Sequence, residues 1–361
     1  MPRKIRVLQF GSGRMATYLM RYVIDKEAEL VAVFDRNARN IGVDIGTRIG
    51  KGDLGLAVRS SDGIEEFLKT NRPDICIVAT RSLLRDVKDI LLLCARYGVN
   101  VVTLCDEALY PWNSSPTLAQ EIDEAAKKGN CTITGSGFPE LCWAHLVTTV
   151  AGGANRIVRI AGTSTYNADD FGIALAEHHG VGLAPEAFEK EIAAVDKVSN
   201  EERTRLIMAG LFNPVPTWNA NGWLCSKMGL SITSQIQRCI PVFHFEPVFS
   251  KTLGREITPG NAIGMSARTT TETAEGITFE TEGVGKIYLP GESDQNFWEL
   301  QGEPNIKIDI PNAMTKEMVC SIVVNRLPDV IAAKPGFVTT DNFGPPMYRS
   351  RPLLIEGVTA K

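Results

Sequence analysis

Four histidines, eight scattered cysteines without a C-x-x-C pair, and no cysteine–histidine set at zinc spacing leave this 361-residue chain little with which to build a structural metal site. The same pattern argues against a disulfide framework. Cys76 and Cys105 sit inside apolar segments, where a reduced thiol behaves as a small hydrophobe. Positive charge is not in excess: the net charge is −4 with signs interspersed, which argues against nucleic acid or an anionic membrane surface as a partner. The longest purely apolar run, Ile90 to Ala95, is far too short to span a bilayer. Met-Pro-Arg-Lys leads straight into a strand, so no secretory leader is expected and the cytoplasm is the expected compartment. There is no internal repeat, low-complexity tract or long linker. What remains is an ordinary globular composition, 44% hydrophobic and 22% charged, long enough for two domains with separate cores.

The strongest positive signal lies at residues 5–16, where an apolar strand runs into a G-x-G-x-x-A turn and then a helix. Gly11 permits the tight turn, Gly13 lets the backbone approach a pyrophosphate, and Ala16 lets helix and strand pack closely. Ser12, Arg14 and Met15 lie on the same turn, whose helix N-terminus offers N–H groups to phosphates. Met15, Tyr18, Leu19, Tyr22 and Val23 then form a helical stripe. A second strand, Leu30 to Phe34, ends at Asp35, 24 residues beyond Gly11, where a carboxylate can accept hydrogen bonds from an adenine ribose. A strand–helix turn that binds nothing is the alternative, and the acidic residue argues against it. Asp35 favours NAD; Arg36 beside it, with Arg39 near, could clamp the 2′-phosphate of NADP. The expectation is use of NAD or NADP, with NAD somewhat favoured.

Strands and helices alternate to about residue 135, which predicts a doubly wound parallel sheet of the Rossmann type. Strands are expected at 74–80, 100–105 and 131–134, and helices at 84–97 and 116–128. After Gly135 the texture changes. Val158 to Thr165 reads as a strand, residues 180–194 as helical, and 242–249, 263–270, 277–282, 285–289 and 306–310 as strands of an antiparallel or mixed sheet. The expected fold class is therefore α/β, with a second α+β substrate domain. The expected divisions are a dinucleotide-binding domain over 1–140, a substrate-binding and dimerisation domain over 141–314, and a helix and tail over 315–361 that return to the first domain.

In such a sheet, ligands sit beyond the carboxyl ends of the strands. This singles out Thr80-Arg81-Ser82, Cys105-Asp106-Glu107 and Gly135-Ser-Gly-Phe-Pro139. Asp106 and Glu107, read as neighbours at a strand end, should point to opposite sides, so only one faces the cofactor. Glu107 reads equally as an acid/base or as a helix-capping residue. Phe138, Pro139 and Trp143 are candidate pocket walls, with interdomain core as the alternative. Tyr166 and Asn167 are candidate polar contacts, and His145 could face the pocket or be a satisfied interior histidine. His178-His179 reads as solvated, and His244 as packed in a strand.

The run Thr103-Leu-Cys-Asp-Glu-Ala-Leu-Tyr-Pro-Trp112 resembles the E-E-L-[FY]-P-W segment of native amine dehydrogenases and 2,4-diaminopentanoate dehydrogenases, within the dihydrodipicolinate reductase-like superfamily. Asn40-Ile-Gly-Val-Asp-Ile-Gly46, Gly180-Val-Gly-Leu-Ala-Pro-Glu-Ala-Phe188 and the stretch from Val324 to Phe337 are similar too, so the resemblance extends along most of the chain. It implies an NAD(P)-dependent enzyme that joins ammonia reversibly to a small ketone or aldehyde, with the family's key glutamate at Glu107. It also implies a homodimer formed through the substrate-domain sheet. The chain departs from the diaminopentanoate enzymes at Gly137 to His145 and Thr165 to Asp170, and no arginine occurs between Arg159 and Arg203. A substrate carboxylate would want an arginine fork, so a small, largely apolar carbonyl compound is expected. Dihydrodipicolinate reductases proper resemble H-H-x-x-K, and His178-His179 lacks that lysine; sugar dehydrogenases resemble E-K-P, where this chain has Asp106-Glu107-Ala108. A nicotinamide-sensing protein without turnover is the non-enzymatic alternative.

Overall fold

The short apolar runs of the first third of the chain are buried on both faces, as strands of a parallel sheet must be. In the computed structural model, which describes residues 2–356, they are β1 (Arg6–Phe10), β2 (Glu29–Asp35), β3 (Val58–Ser60), β4 (Ile75–Val78), β5 (Asn100–Thr103) and β6 (Thr132–Gly135). With the short strand Gly336–Phe337 beside β6, the order is (336–337)-β6-β5-β4-β1-β2-β3, all parallel. This is the doubly wound order, with its reversal between β1 and β4. Phe10 pairs with Val78 on one side and Phe34 on the other, so the ends of β1, β4 and β2 line up.

Helix α1 (Arg14–Asp25) buries Ala16, Leu19, Met20 and Val23; of the expected stripe Leu19 and Val23 are buried, while Met15, Tyr18 and Tyr22 are partly buried against the same core. Leu19 and Val23 join Val7, Ile75 and Ile77 in a core completed by Cys320, Val323, Leu327 and Val330 from the helix Thr315–Ala332. Each such side chain contributes about 1.5–3 kcal/mol by leaving water. The expected 315–361 segment thus packs in this core, and its residues 357–361 lie outside the described ones. The tail around Met347–Arg351 stays on the same unit: Lys26 Nζ lies 4.0 Å from the Tyr348 ring, and Arg349 pairs with Asp329.

Two units emerge. The first comprises residues up to Ala108, Leu118–Gly137 and those from Glu317 onward; the second comprises Leu109–Thr117 and Phe138–Lys316. These boundaries differ from the expected 140/141 and 314/315 by a few residues. The inclusion of Leu109–Thr117 in the second unit was not anticipated, and side-chain amides explain it. In helix α6 (Pro216–Met228; α2 is Ile45–Ile49, α3 Leu84–Arg96, α4 Pro116–Gly129, α5 Ile173–His178), Asn219 Nδ2 donates to Tyr110 O at 2.9 Å. Trp218 Nε1 donates to Asn113 O, also at 2.9 Å.

The second unit is built on a six-stranded sheet of β7 (Arg156–Asn167), β8 (Ile232–Phe243), β9 (Ala262–Thr273), β10 (Thr278–Lys286), β11 (Gln295–Glu303) and β12 (Ile306–Pro311). Its order is β12-β11-β7-β10-β9-β8, antiparallel except for the parallel pair β7–β10. The strands expected at 277–282 and 285–289 are one strand, β10. Gly283 and Gly285 interrupt the apolar alternation without ending the strand, and Gly285 marks the close approach of His179 and Tyr166. Strand β11 and helix α6 were not anticipated. Helix α6 is buried on every side from Pro216 to Cys225, which erases the amphipathic period that would reveal it. His244 lies just beyond the end of β8 rather than within it.

Candidate active site

At the turn after β1, Gly11 adopts φ +89°, and a Cβ there would lie 2.4 Å from the Ala79 carbonyl oxygen and 2.7 Å from Thr80 Cγ2. Only glycine fits between the ends of β1 and β4. Gly13 is the N-cap of α1; no side chain caps that helix, and nothing lies within 4 Å of where a Gly13 Cβ would be. Open space in front of an uncapped helix N-terminus fits a pyrophosphate. Arg14 is exposed, whereas Met15 is partly buried and lies against the core.

Asp35, at the end of β2, accepts from Ser12 N (2.8 Å), Ser12 Oγ, Asn37 N (2.8 Å) and Asn40 Nδ2 (2.9 Å). Burial opposes its charge, but those hydrogen bonds outweigh it and hold the carboxyl below its ordinary range. The structure thus brings Gly11, Ser12, Gly13, Asp35 and Thr80 together. Arg36 is exposed with its guanidinium 5.7 Å from the Phe10 ring, and Arg81 is exposed. One cation was missed: Arg48 of α2 donates to Ser12 Oγ at 3.4 Å. Its distance in sequence from the glycine turn hides it; its place just after the Asn40–Gly46 segment was the available signal.

Strand β5 ends at Thr103, and residues 106–109 form a 3-10 turn, so the alternation expected for Asp106 and Glu107 does not apply. Glu107 is 3% exposed, its Oε2 accepts from Leu84 N at 2.7 Å at the start of α3, and its N–H donates to Ser82 O at 3.1 Å. It therefore caps a helix. Asp106 is partly buried; desolvation pushes its carboxyl up to about 6, against a hydrogen bond from Ser82 that favours the charged form. The Cys105 thiol is buried, donates to Ser82 O, and is pushed up by burial and by Glu107.

In the second unit, Pro139–His145 forms a π-helix, a wide turn often retained at functional sites. The wide winding sets Glu140 and His145 five residues apart yet facing, with Oε1 and Nε2 3.8 Å apart and both side chains buried. His145 also stacks edge-on with Trp223, at 4.8 Å. Phe138 and Trp143 meet edge-to-face at 6.5 Å. The Trp143 indole N–H is buried without a hydrogen-bond partner among the described residues, which marks it for attention.

Tyr166 lies on the inner face of β7 with Trp143, Thr217 and Gly283 around it. His179 is fully buried, not solvated: its Nδ1 meets Leu175 O at 2.8 Å and its Nε2 meets Tyr166 Oη at 2.7 Å. Burial pushes its pKa down to about 3, and the neighbouring His178 adds to the shift. Asn167 does not join this group. As the next residue of the strand it faces the other way, and its Oδ1 accepts from Asp169 N at 3.2 Å and Tyr288 N at 3.4 Å. It is a turn residue. Among the described residues no His, Cys, Asp or Glu group is arranged for a metal ion, and no helix is long and apolar enough to cross a membrane.

No protein-family model matches the chain. A 2,4-diaminopentanoate dehydrogenase from Acetoanaerobium sticklandii is 24% identical over 349 residues, 93% of this chain and 92% of that protein. The solved myo-inositol 2-dehydrogenase from Lactobacillus plantarum shares the fold at 13% identity, with a TM-score of 0.56 over 94% of this chain and 93% of its own. The solved amine dehydrogenase from Mycobacterium smegmatis is 36% identical, with a TM-score of 0.87 over 97% of this chain and 98% of its own. With identity at that level sustained along nearly the full length of both chains, this protein belongs to the amine dehydrogenase family of oxidoreductases.

Proposed function

We propose that the protein catalyses reversible reductive amination of a small, largely apolar ketone or aldehyde with ammonia, using NAD or NADP. Bound at the turn of Gly11 to Arg14, the nicotinamide dinucleotide supplies or accepts the hydride. Overall, carbonyl compound, ammonium and reduced cofactor become amine, water and oxidised cofactor. Glu107, the residue the family resemblance designates, would take a proton from ammonium, return one to the departing hydroxyl, and stabilise the cationic carbon–nitrogen double bond. Asp106 is a second candidate for the proton exchange, favoured by its carboxyl standing near 6 while Glu107 holds Leu84 N–H. The observation that carries the reading is the pair of desolvated carboxylates at the end of β5, in a chain of this family.

Cofactor oxidation measured with short aldehydes and ketones, with and without ammonium, tests it. Dependence on ammonium supports amination; equal rates without it would leave only alcohol formation. Glu107→Gln should cut turnover about 10²-fold with cofactor affinity retained, while Asp106→Asn should remove an ionisation near pH 6 from the rate profile. If Asp106→Asn abolishes turnover and Glu107→Gln does not, the proton transfer belongs to Asp106. Asp35 supports the preference for NAD, and Arg36, Arg39 and Arg48 are the cations that would receive a 2′-phosphate. Cytoplasmic location is supported by eight free cysteines, all buried. Homodimerisation is supported by Ile236, Ile240 and Phe297, exposed on the outer face of the second unit's sheet.

A further inference from the structure

Away from its glycine turn, the first unit encloses a cavity of about 390 Å³, a volume typical of small-molecule sites. Tyr22, Asp25 and Lys26 line it from the end of α1, at the i, i+3, i+4 spacing of one helix face. Ser321, Val324 and Asn325 repeat that spacing on the helix Thr315–Ala332, and the exposed Tyr348 and Arg351 of the tail complete the lining. Helix α1 has 12 residues, so about 18 Å separates this end from Gly13.

Both helices hold the tail here through one peptide group. Lys26 Nζ donates to Arg349 O, and Arg349 N donates to Asn325 Oδ1 at 3.2 Å. With Oδ1 engaged, the other end of the Asn325 amide is Nδ2, which can only donate. Neither that Nδ2 nor the Ser321 hydroxyl has a hydrogen-bond partner among the described residues. Lys26 is partly buried 4.0 Å from the Tyr348 ring and has no carboxylate partner among the described residues. Arg351 meets only Glu27, at 4.0 Å in an exposed pair, a contact that contributes little.

The acceptors around the cavity are already taken. Tyr22 O, Val23 O and Ile24 O accept from Lys26 N, Ala28 N and Glu27 N, and Lys26 O accepts from Leu353 N. The Asp25 carboxylate is answered by Lys51 Nζ at 2.5 Å. What remains is two cations and uncharged donors beside Val324 and the rings of Tyr22 and Tyr348. No helix N-terminus lines the cavity, so it lacks the backbone N–H groups that suit a phosphate.

We propose that this cavity binds a small aromatic carboxylate. Lys26, Asn325 Nδ2 and Arg351 receive the carboxylate, and Tyr22, Val324 and Tyr348 receive the ring. Such a ligand joins α1, the helix Thr315–Ala332 and the tail without reaching the glycine turn. Its binding is therefore independent of the dinucleotide and of the reaction proposed above.

Equilibrium dialysis of the full-length protein, saturated with NADH, against 2-naphthoate tests this. Saturable binding with a Kd below about 1 mM is expected. Lys26→Met should weaken it about tenfold, Tyr348→Ala about fivefold and Tyr348→Phe less than about twofold, because the ring and not its hydroxyl makes the contact. Neutral 2-naphthamide and dianionic 2-naphthyl phosphate should each bind about tenfold more weakly. Circular dichroism and unchanged NADH affinity would show the variants folded, and Tyr348, 80% exposed, probes the site without disturbing the core. No saturable binding, amide or phosphate binding as tight as that of the carboxylate, or a Kd unchanged in Lys26→Met or Tyr348→Ala would overturn the proposal. Absence of ammonium-dependent turnover would remove the proposed reaction and leave this site standing.

Discussion

The Gly11 turn of the first unit and the Tyr166 surround of the second both contain glycines, for different reasons. Gly11 is demanded by the backbone: its φ of +89° and the Ala79 carbonyl 2.4 Å from any Cβ leave no alternative. Gly283 is demanded by nothing in the fold, since an added methyl would meet only ordinary contacts at 3.8–3.9 Å. The first glycine shapes the chain; the second leaves room for about a methyl group between side chains. A constraint on the backbone leaves a short local pattern in sequence, whereas a space is bounded by residues from remote segments.

Substituting Gly11→Ala should break the first region outright. Strain at this φ, together with the clash, should lower NAD(P)H affinity by more than about 10²-fold in a fluorescence titration. Near-normal affinity would mean the turn is not where the dinucleotide binds.

The two regions should also respond to acid with opposite sign. Folding lowers the pKa of His179 to about 3, so the unfolded chain binds the extra proton, and stability is lost as pH falls below about 6.5. Folding raises the pKa of Asp106 to about 6, so the native state binds the extra proton between about 4 and 6, and stability is gained as pH falls through that window. Each contribution is on the order of a few kcal/mol. Urea unfolding between pH 7.5 and 4.5 should show a flatter acid loss for His179→Leu and a steeper one for Asp106→Asn. Identical slopes in both variants would contradict the assignment of either shift.

Gly283→Ala should be milder, changing stability by no more than about 0.5 kcal/mol while raising KM several-fold for bulkier substrates before shorter ones. A uniform effect across substrate sizes would place the pocket elsewhere. Smallest of all is Asn167→Ala, which removes a turn hydrogen bond worth about 1 kcal/mol of stability and should leave KM unchanged. A large change in KM would return Asn167 to the pocket.

The segment from Asp106 to Asn113 illustrates how far residues can be read alone. Its motif was legible, and so was the capping alternative for Glu107. Its division of labour was not, because that depends on partners from α3, Ser82 and α6. His179 was misjudged for a similar reason. A histidine pair at a helix end looks solvated until Tyr166 and Leu175 are seen around it.

Local chemistry was enough to read the parallel sheet, the glycine turn and the carboxylate at the end of β2, since each follows from glycine, strand-length apolar runs and short motifs, while the family came from a resemblance along the chain. Tertiary structure alone decided which carboxyl is held near 6 and which imidazole stays neutral. Protonation and hydrogen-bond direction are set by burial and by partners brought from distant parts of the chain, and neither is written in any one segment.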